Sequence, residues 1–384
     1  MEAMKVETIS KEIIKPSSPT PTDLRTLQLS IYDHILPPIY TVAFLFYTKD
    51  DLVSREHTSH KLKTSLSKTL TKFYPLAGRI NGVTVDCNDE GTVFVEARVN
   101  ECTLSGVLRS PDFKALQQLL PLDIVENPYE AAATWPLLMV KATYFQCGGV
   151  AIGICITHKI SDAASISTFP NFYPPANEAF RLPVDEQASK RSNITKRFVF
   201  PASKFEELRG NVASKEALDR PTRVGCATVL LWKCFVAAAS SKKCDHKVLI
   251  QLANLRSKVP SLQESLIGNV MFSSVVVSIG REEEVKTEEA LRDLRNKKEE
   301  LRIVIEDIDG WYKLPLYEAC FGWGCPVWVV GNVAPEFGNL AILMDSKDRQ
   351  GIEAFVTLPE ENMLSFEQNP DLLAFASLNP SILV

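Results

Sequence analysis

The chain has 384 residues, 45% hydrophobic and 23% charged, with 42 Lys and Arg against 47 Asp and Glu and a formal net charge of −5. At about 150 residues per domain this length predicts two or three domains, each able to bury a core, and 9% aromatics exclude a disordered or low-complexity chain. The acidic balance gives no electrostatic reason to bind a polyanion, so nucleic acid is not an expected partner.

The N-terminal residues MEAMKVETISKEII contain acidic side chains and no apolar stretch of signal-peptide length, and no run of about 18 apolar residues occurs anywhere. A cytosolic protein without a membrane span is expected. Nine cysteines without a CxxC, in such a chain, are expected to be reduced core residues rather than disulfides or a zinc site. The triplet Asn193-Ile194-Thr195 is then not a glycosylation acceptor.

In chain order, Leu62, Leu66, Leu70 and Phe73 recur at helical spacing between lysines and predict a helix from Thr58 to Tyr74, stopped by Pro75. RINGVTVDCNDEGTVFVEA reads as two short strands around the Asn-Asp-Glu-Gly turn. Residues 137–145 and 150–157 read as strands joined at Cys147-Gly148-Gly149, the second one, VAIGICIT, apolar enough to be covered on both faces. Residues 170–192 are proline-rich and aperiodic, and the domain boundary is placed there. Beyond it KRFVF predicts a strand, Ser203 is a candidate N-cap with Glu206 at the capping-box position, and 221–239 predicts a buried helix. A charged, solvated helix is expected over 287–303, and strands at VLIQLAN, NVMFSSVVVSI, PVWVVGN, LAILMD and IEAFVTL. Both halves mix strands and helices, which predicts an α/β protein with any site in the crevice between two domains.

Of five histidines, His34, His57, His60 and His246 lie in settings that suit surface or structural roles. His158 directly follows the buried strand VAIGICIT, where a side chain is held rigidly yet can face a cleft. Asp162 makes the chain's HxxxD with it. Three readings stay open: Asp162 orients the imidazole, Asp162 points away and holds the loop through an arginine, or His158 is a satisfied core histidine beside a surface carboxylate. Further on, ACFGWGCP sets two glycines around Trp323, which predicts a tight bend.

HKISD followed far downstream by CFGWG resembles the paired HxxxD and DFGWG hallmarks of the BAHD family of plant acyl-CoA-dependent acyltransferases. PSSPTP, FYPLAGR, VDCNDEG, FQCGG, NLRSK and LMDSKDRQGIEAFVTL extend that resemblance over essentially the whole chain, on the side of the terpenoid and alkaloid acetyltransferases. It implies two chloramphenicol-acetyltransferase-like α/β domains with a solvent channel between them: residues 1–169 carrying HxxxD, a crossover linker over 170–195, and 196–384 carrying FGWG. It implies acyl-CoA, most simply acetyl-CoA, as co-substrate and a small-molecule alcohol as acceptor, in a cytoplasmic monomer that uses no metal. His158 matches the family's general base, suited to that task near neutral pH, and the acyl group passes directly without an acyl-enzyme. Asp162 and Arg256 match the loop-orienting pair, and Cys320, Phe321, Gly322, Trp323 and Gly324 the structural motif near the CoA channel. Thr228, Ser257 and Lys258 are weaker candidates for CoA contact.

Two departures stand out: Cys320 replaces the family's Asp, and the chain is tens of residues short, after Phe169 and around Gly310-Trp311. They motivate two other readings, a silent family member that binds CoA or a metabolite without turnover and a thiol hydrolase using Cys320 with His158.

Overall fold

The computed structural model describes residues 4–30, 33–34, 36, 39–48, 54–121, 135–162, 165, 193–212, 221–239, 246–254, 268–279, 314–321, 323–331 and 338–382. In the first part these form β1 (Glu7–Ile14), β2 (Thr26–Gln28), β3 (Tyr40–Tyr47), α1 (Arg55–Lys72), β4 (Arg79–Asn81), β5 (Thr84–Asp86), β6 (Thr92–Val99), α2 (Leu104–Arg109), α3 (Phe113–Leu116), β7 (Leu138–Phe145) and β8 (Val150–Thr157). In the second follow β9 (Asn193–Phe200), α4 (Phe205–Val212), α5 (Arg223–Ala238), β10 (His246–Asn254), β11 (Met271–Ile279), β12 (Trp328–Gly331), β13 (Leu340–Asp345), β14 (Ile352–Pro359), α6 (Glu360–Glu367), α7 (Pro370–Leu373) and β15 (Ser377–Leu378).

A six-stranded sheet runs β1-β6-β7-β8-β3-β12. Its central strands read as continuous apolar runs because both faces are covered: β7 is buried throughout, and β8 at all but one position. Gly153 in β8 is required by close approach, since a Cβ there would meet the Leu119 carbonyl oxygen at 2.2 Å. Opposite it, buried Lys141 donates to the carbonyls of Gln118 and Leu120, so its charge ends on peptide dipoles. The last strand, β12, comes from far down the chain and pairs antiparallel with β3, Trp328 facing Phe46.

A second sheet, β13-β14-β9-β15, packs on α4–α7 through Phe198, Phe200, Leu230, Leu231, Phe366 and their neighbours. Helix α5 is buried nearly all round, as its sequence predicts, and is capped by Thr222, whose side chain accepts from the Gly225 N–H. Residues 193–195 of the expected linker already belong to β9, and Thr195 is hydrogen-bonded to Thr357 across the sheet. The rest of that linker and the helix expected over 287–303 lie outside the described residues.

Three local expectations are corrected. RINGVTVDCNDEGTVFVEA forms three strands, because Asn81-Gly82 makes its own tight turn with Gly82 at φ +61°, and the polar turn then leads into β6. Ser203 is not an N-cap: it sits in a single 3₁₀ turn, Ala202–Lys204, and Glu206 pairs with Arg209 one turn on. Not all the cysteines are free, since Cys320 and Cys325 are joined in a disulfide.

The two sheets are tied by one buried knot. Arg197 of β9 makes a bidentate pair with Glu353 of β14, at 2.6 and 3.1 Å, both side chains nearly inaccessible. Trp328 of β12 donates its indole N–H to the same carboxylate at 3.2 Å, and the guanidinium lies 5.3 Å from the centre of its ring. Removing one partner of such a pair leaves an uncompensated buried charge. Arg197→Met is expected to lower stability by about 3–5 kcal/mol, and Arg197→Met with Glu353→Leu by less than Arg197→Met alone. Urea unfolding monitored by tryptophan fluorescence checks both.

Candidate active site

β8 delivers His158 to the end of the six-stranded sheet. The His158 N–H donates to the Ile39 carbonyl at 2.7 Å, continuing the β3–β8 pairing by one residue and fixing where the side chain departs. Its Nδ1 is 3.1 Å from Oδ1 of Asn269. The Asn269 amide nitrogen donates to the His158 carbonyl at 2.7 Å and to Oδ1 of Asp33 at 2.8 Å. Asn269 and Asp33 are buried, whereas His158 keeps part of its surface accessible. Burial pulls the imidazole pKa below the ordinary 6.5, and the carboxylates of Asp162 and Asp33 oppose the shift without cancelling it. The ring is therefore neutral at physiological pH.

Asp162, 4% exposed, faces elsewhere. Its Oδ1 accepts from the N–H and the hydroxyl of Ser165, both at 2.9 Å, and its Oδ2 from the Val270 N–H at 3.0 Å. The Ser165 hydroxyl oxygen in turn accepts the Gly268 N–H at 3.1 Å. Of the open readings, Asp162 thus holds the loop after β8 to the segment 268–270, and the acceptor facing the imidazole is Asn269. Asn269 was legible only as part of the apolar run NVMFSSVVVSI, which gives no sign that its first residue turns back toward a histidine more than a hundred positions earlier.

Arg256, Ser257, Lys258 and Gly322 lie outside the described residues. Thr228 is half-buried on α5 and takes no part in the described network around His158. His57 and His60 are exposed on α1, as expected.

The FGWG segment sits at the other end of β3. Tyr47 donates its hydroxyl to the Ala319 carbonyl at 2.9 Å, and its ring meets Phe321 and Trp323 edge-on. Phe321 and Trp323 stack 5.3 Å apart, and Lys61 lies over the indole. Gly324 has φ +125°, a conformation that side chains other than hydrogen strain to adopt, so the bend read from the sequence is real. The disulfide Cys320–Cys325 closes this loop. Since β3 pairs with Thr157 through Tyr40 and reaches the loop through Tyr47, its eight residues put roughly 23 Å between the two ends. Cys320 has no free thiol and lies far from His158, which removes the hydrolase reading.

A structure of mixed α/β halves, with a neutral histidine on a braced loop at the end of a buried strand, finds its counterparts among acyl-transferring enzymes. The model of the transferase family matches residues 4–173, 170–310 and 308–373. The BAHD acyltransferase BIA1 of Arabidopsis thaliana is 35% identical, covering 100% of both chains, and stemmadenine O-acetyltransferase of Catharanthus roseus is 34% identical over 94% of this chain and 96% of its own. The crystal structure of vinorine synthase superposes with a TM-score of 0.80 at 30% identity, covering 97% of this chain and 99% of the other. The chain belongs to the BAHD acyltransferases, and it has their two-domain fold. The alignment with BIA1 spans 446 positions, 62 more than this chain has residues.

The disulfide gives a direct test. Alkylation of the unfolded protein without reductant should leave Cys320 and Cys325 unlabelled in peptide mass spectra, and both should be labelled once reductant is added. Full labelling of both without reductant would contradict the cross-link.

Proposed function

We propose that this enzyme transfers an acyl group from acyl-CoA to the hydroxyl of a plant specialised metabolite, with acetyl-CoA as donor and a terpenoid or alkaloid alcohol as acceptor. The observation that carries the reading is the state of His158: neutral, partly accessible and held through Nδ1 by Asn269, so that Nε2 is left to act as base. The names of the relatives, an O-acetyltransferase of stemmadenine among them, support the choice of acetyl and of an alcohol acceptor.

In the proposed reaction Nε2 of His158 takes the proton of the acceptor hydroxyl as its oxygen attacks the thioester carbonyl. The tetrahedral intermediate collapses, the carbon–sulfur bond breaks, and the imidazolium returns the proton to the departing CoA thiolate. No acyl-enzyme forms. Asp162 and Arg256 serve as positioning residues of the loop, and Cys320, Phe321, Gly322, Trp323 and Gly324 as scaffold; Thr228, Ser257 and Lys258 are offered as CoA contacts. The protein acts as a cytoplasmic monomer without a metal. Among the described residues no helix is long and apolar enough to cross a membrane.

Thiol release from acetyl-CoA is measured with a panel of terpenoid and alkaloid alcohols. Acceptor-dependent release is expected, reduced by about 10²–10⁴-fold in His158→Ala, the range that general-base catalysis contributes. CoA binding without release for any donor or acceptor would establish the silent reading instead. Because burial lowers the His158 pKa, the base stays unprotonated further into acid, and the acid limb of kcat/KM should fall below pH 6.5. An acid limb above that value would count against His158 as the free base.

A further inference from the structure

Asp33 stands in the His34 segment, which nothing in the proposed reaction uses, yet it is 7% exposed and its two carboxylate oxygens are separately employed. Oδ2 accepts the Ser30 N–H at 2.6 Å, closing the turn that carries it. Oδ1 accepts the Asn269 side-chain N–H at 2.8 Å, across 236 positions of sequence.

We propose that Asp33 is a positioning residue that fixes the orientation of the Asn269 amide and thereby the tautomer of His158. The argument is one of donors and acceptors. An asparagine side chain has a donor end and an acceptor end, and which is which follows from its partners. One end of Asn269 meets two groups that only accept, the Asp33 carboxylate and the His158 carbonyl, so that end is the amide nitrogen. The oxygen must then face His158 Nδ1, 3.1 Å away, and an oxygen there demands that Nδ1 carry the hydrogen. The neutral ring has one N–H, so Nε2 is left with its lone pair. The His158 carbonyl alone would also favour this orientation; the Asp33 carboxylate adds a charge-assisted bond that the reversed amide would turn into oxygen facing oxygen. The other carboxylate acting on the ring is Asp162, on the His158 loop itself, and Lys159 beside it is engaged on the His34 carbonyl.

This inference deepens the general-base reading and rests on it for its catalytic consequence, but its structural content is measured without substrate. The protein is labelled with ¹⁵N-histidine, and the His158 ring signals are identified by their loss in His158→Ala. The wild type should show the Nδ1–H tautomer. Asp33→Asn keeps the shape but offers an NH₂ where the carboxylate was. The Asn269 amide can then reverse, so the Nε2–H tautomer should become populated and kcat should fall tenfold or more, within the ~10²–10⁴ that a general base supplies, with KM for acetyl-CoA little changed. Asn269→Asp keeps an acceptor on Nδ1 and adds a charge, so the tautomer should persist while the acid limb of kcat/KM moves up by roughly one pH unit.

An unchanged tautomer in Asp33→Asn overturns the proposal. If that variant fails to fold because the Ser30 turn is lost, Asn269→Ala decides: mixed tautomers support the proposal, and an unchanged Nδ1–H form overturns it. A tautomer that responds as expected in a protein that transfers no acyl group to any acceptor would sink the proposed function and leave this inference standing. Active transfer with an unresponsive tautomer does the reverse.

Discussion

A guanidinium, a carboxylate and an indole buried together govern how the two halves of this protein meet. Arg197 and Glu353 belong to neighbouring strands of one sheet, and Trp328 to the edge of the other. Neither charge could be left inside alone, at a cost of several kcal/mol per ion, so the strands must pair in the register that joins them. Trp328 adds its N–H to the same carboxylate, the Arg197 guanidinium also donates to the Pro380 carbonyl, and Phe113 lies edge-on to both Trp328 and Phe355. One carboxylate thus locks β9, β14, the C-terminal tail and, through β12, the strand β3. That last link matters most for function, because β3 is the strand whose first residue pairs with the end of β8, where His158 begins.

Around His158 the same economy recurs at smaller scale. Three segments distant in sequence, 30–34, 158–165 and 268–270, are fastened by hydrogen bonds whose donors and acceptors all match. A neutral hydrogen bond contributes only about 1 kcal/mol net, and those to charged groups about 1.5–3. The carboxylates of Asp33 and Asp162 therefore supply most of the fastening. Both are buried beside a ring whose pKa burial lowers, so they steady the loop without converting the imidazole into a permanent cation.

What the sequence makes legible follows from whether a signal is local. The leucine spacing of α1, the all-round apolar surface of α5 and the continuous apolar run of β8 are local patterns, and the structure places each close to where it is read. HxxxD with FGWG is a longer pattern, but its order along the chain suffices for recognition. Partnerships are different. Nothing near Trp328 announces that its strand will join β3, nothing near Asp33 announces Asn269, and Asp162 offers the same four-residue spacing whether it holds the ring or the loop. These depend on tertiary closure, and donor–acceptor matching selects among them only once the segments are adjacent. Arg256 and Lys258, which follow β10, fall outside the described residues.

The FGWG loop shows how one structural need is met by different chemistry. Where the family has an aspartate, this chain has Cys320, and five positions later Cys325 closes the loop with it. An exposed ion pair made by a carboxylate there would weaken with salt. A short cross-link instead restricts the loop from within, and its benefit is limited because so few residues are enclosed, the entropy removed growing only with the logarithm of loop length. The remaining restraint is aromatic: Tyr47 anchors Ala319 by its hydroxyl and presses on both rings of the Phe321–Trp323 stack. That contact involves neither cysteine sulfur. Since the loop lies at the far end of β3 from His158, its integrity reaches the chemistry only through the strand, which is buried from Thr41 to Tyr47 and has no room to yield. In this chain the loop is braced by the disulfide and the aromatic contacts, and the histidine with its partners stands at the other end of β3.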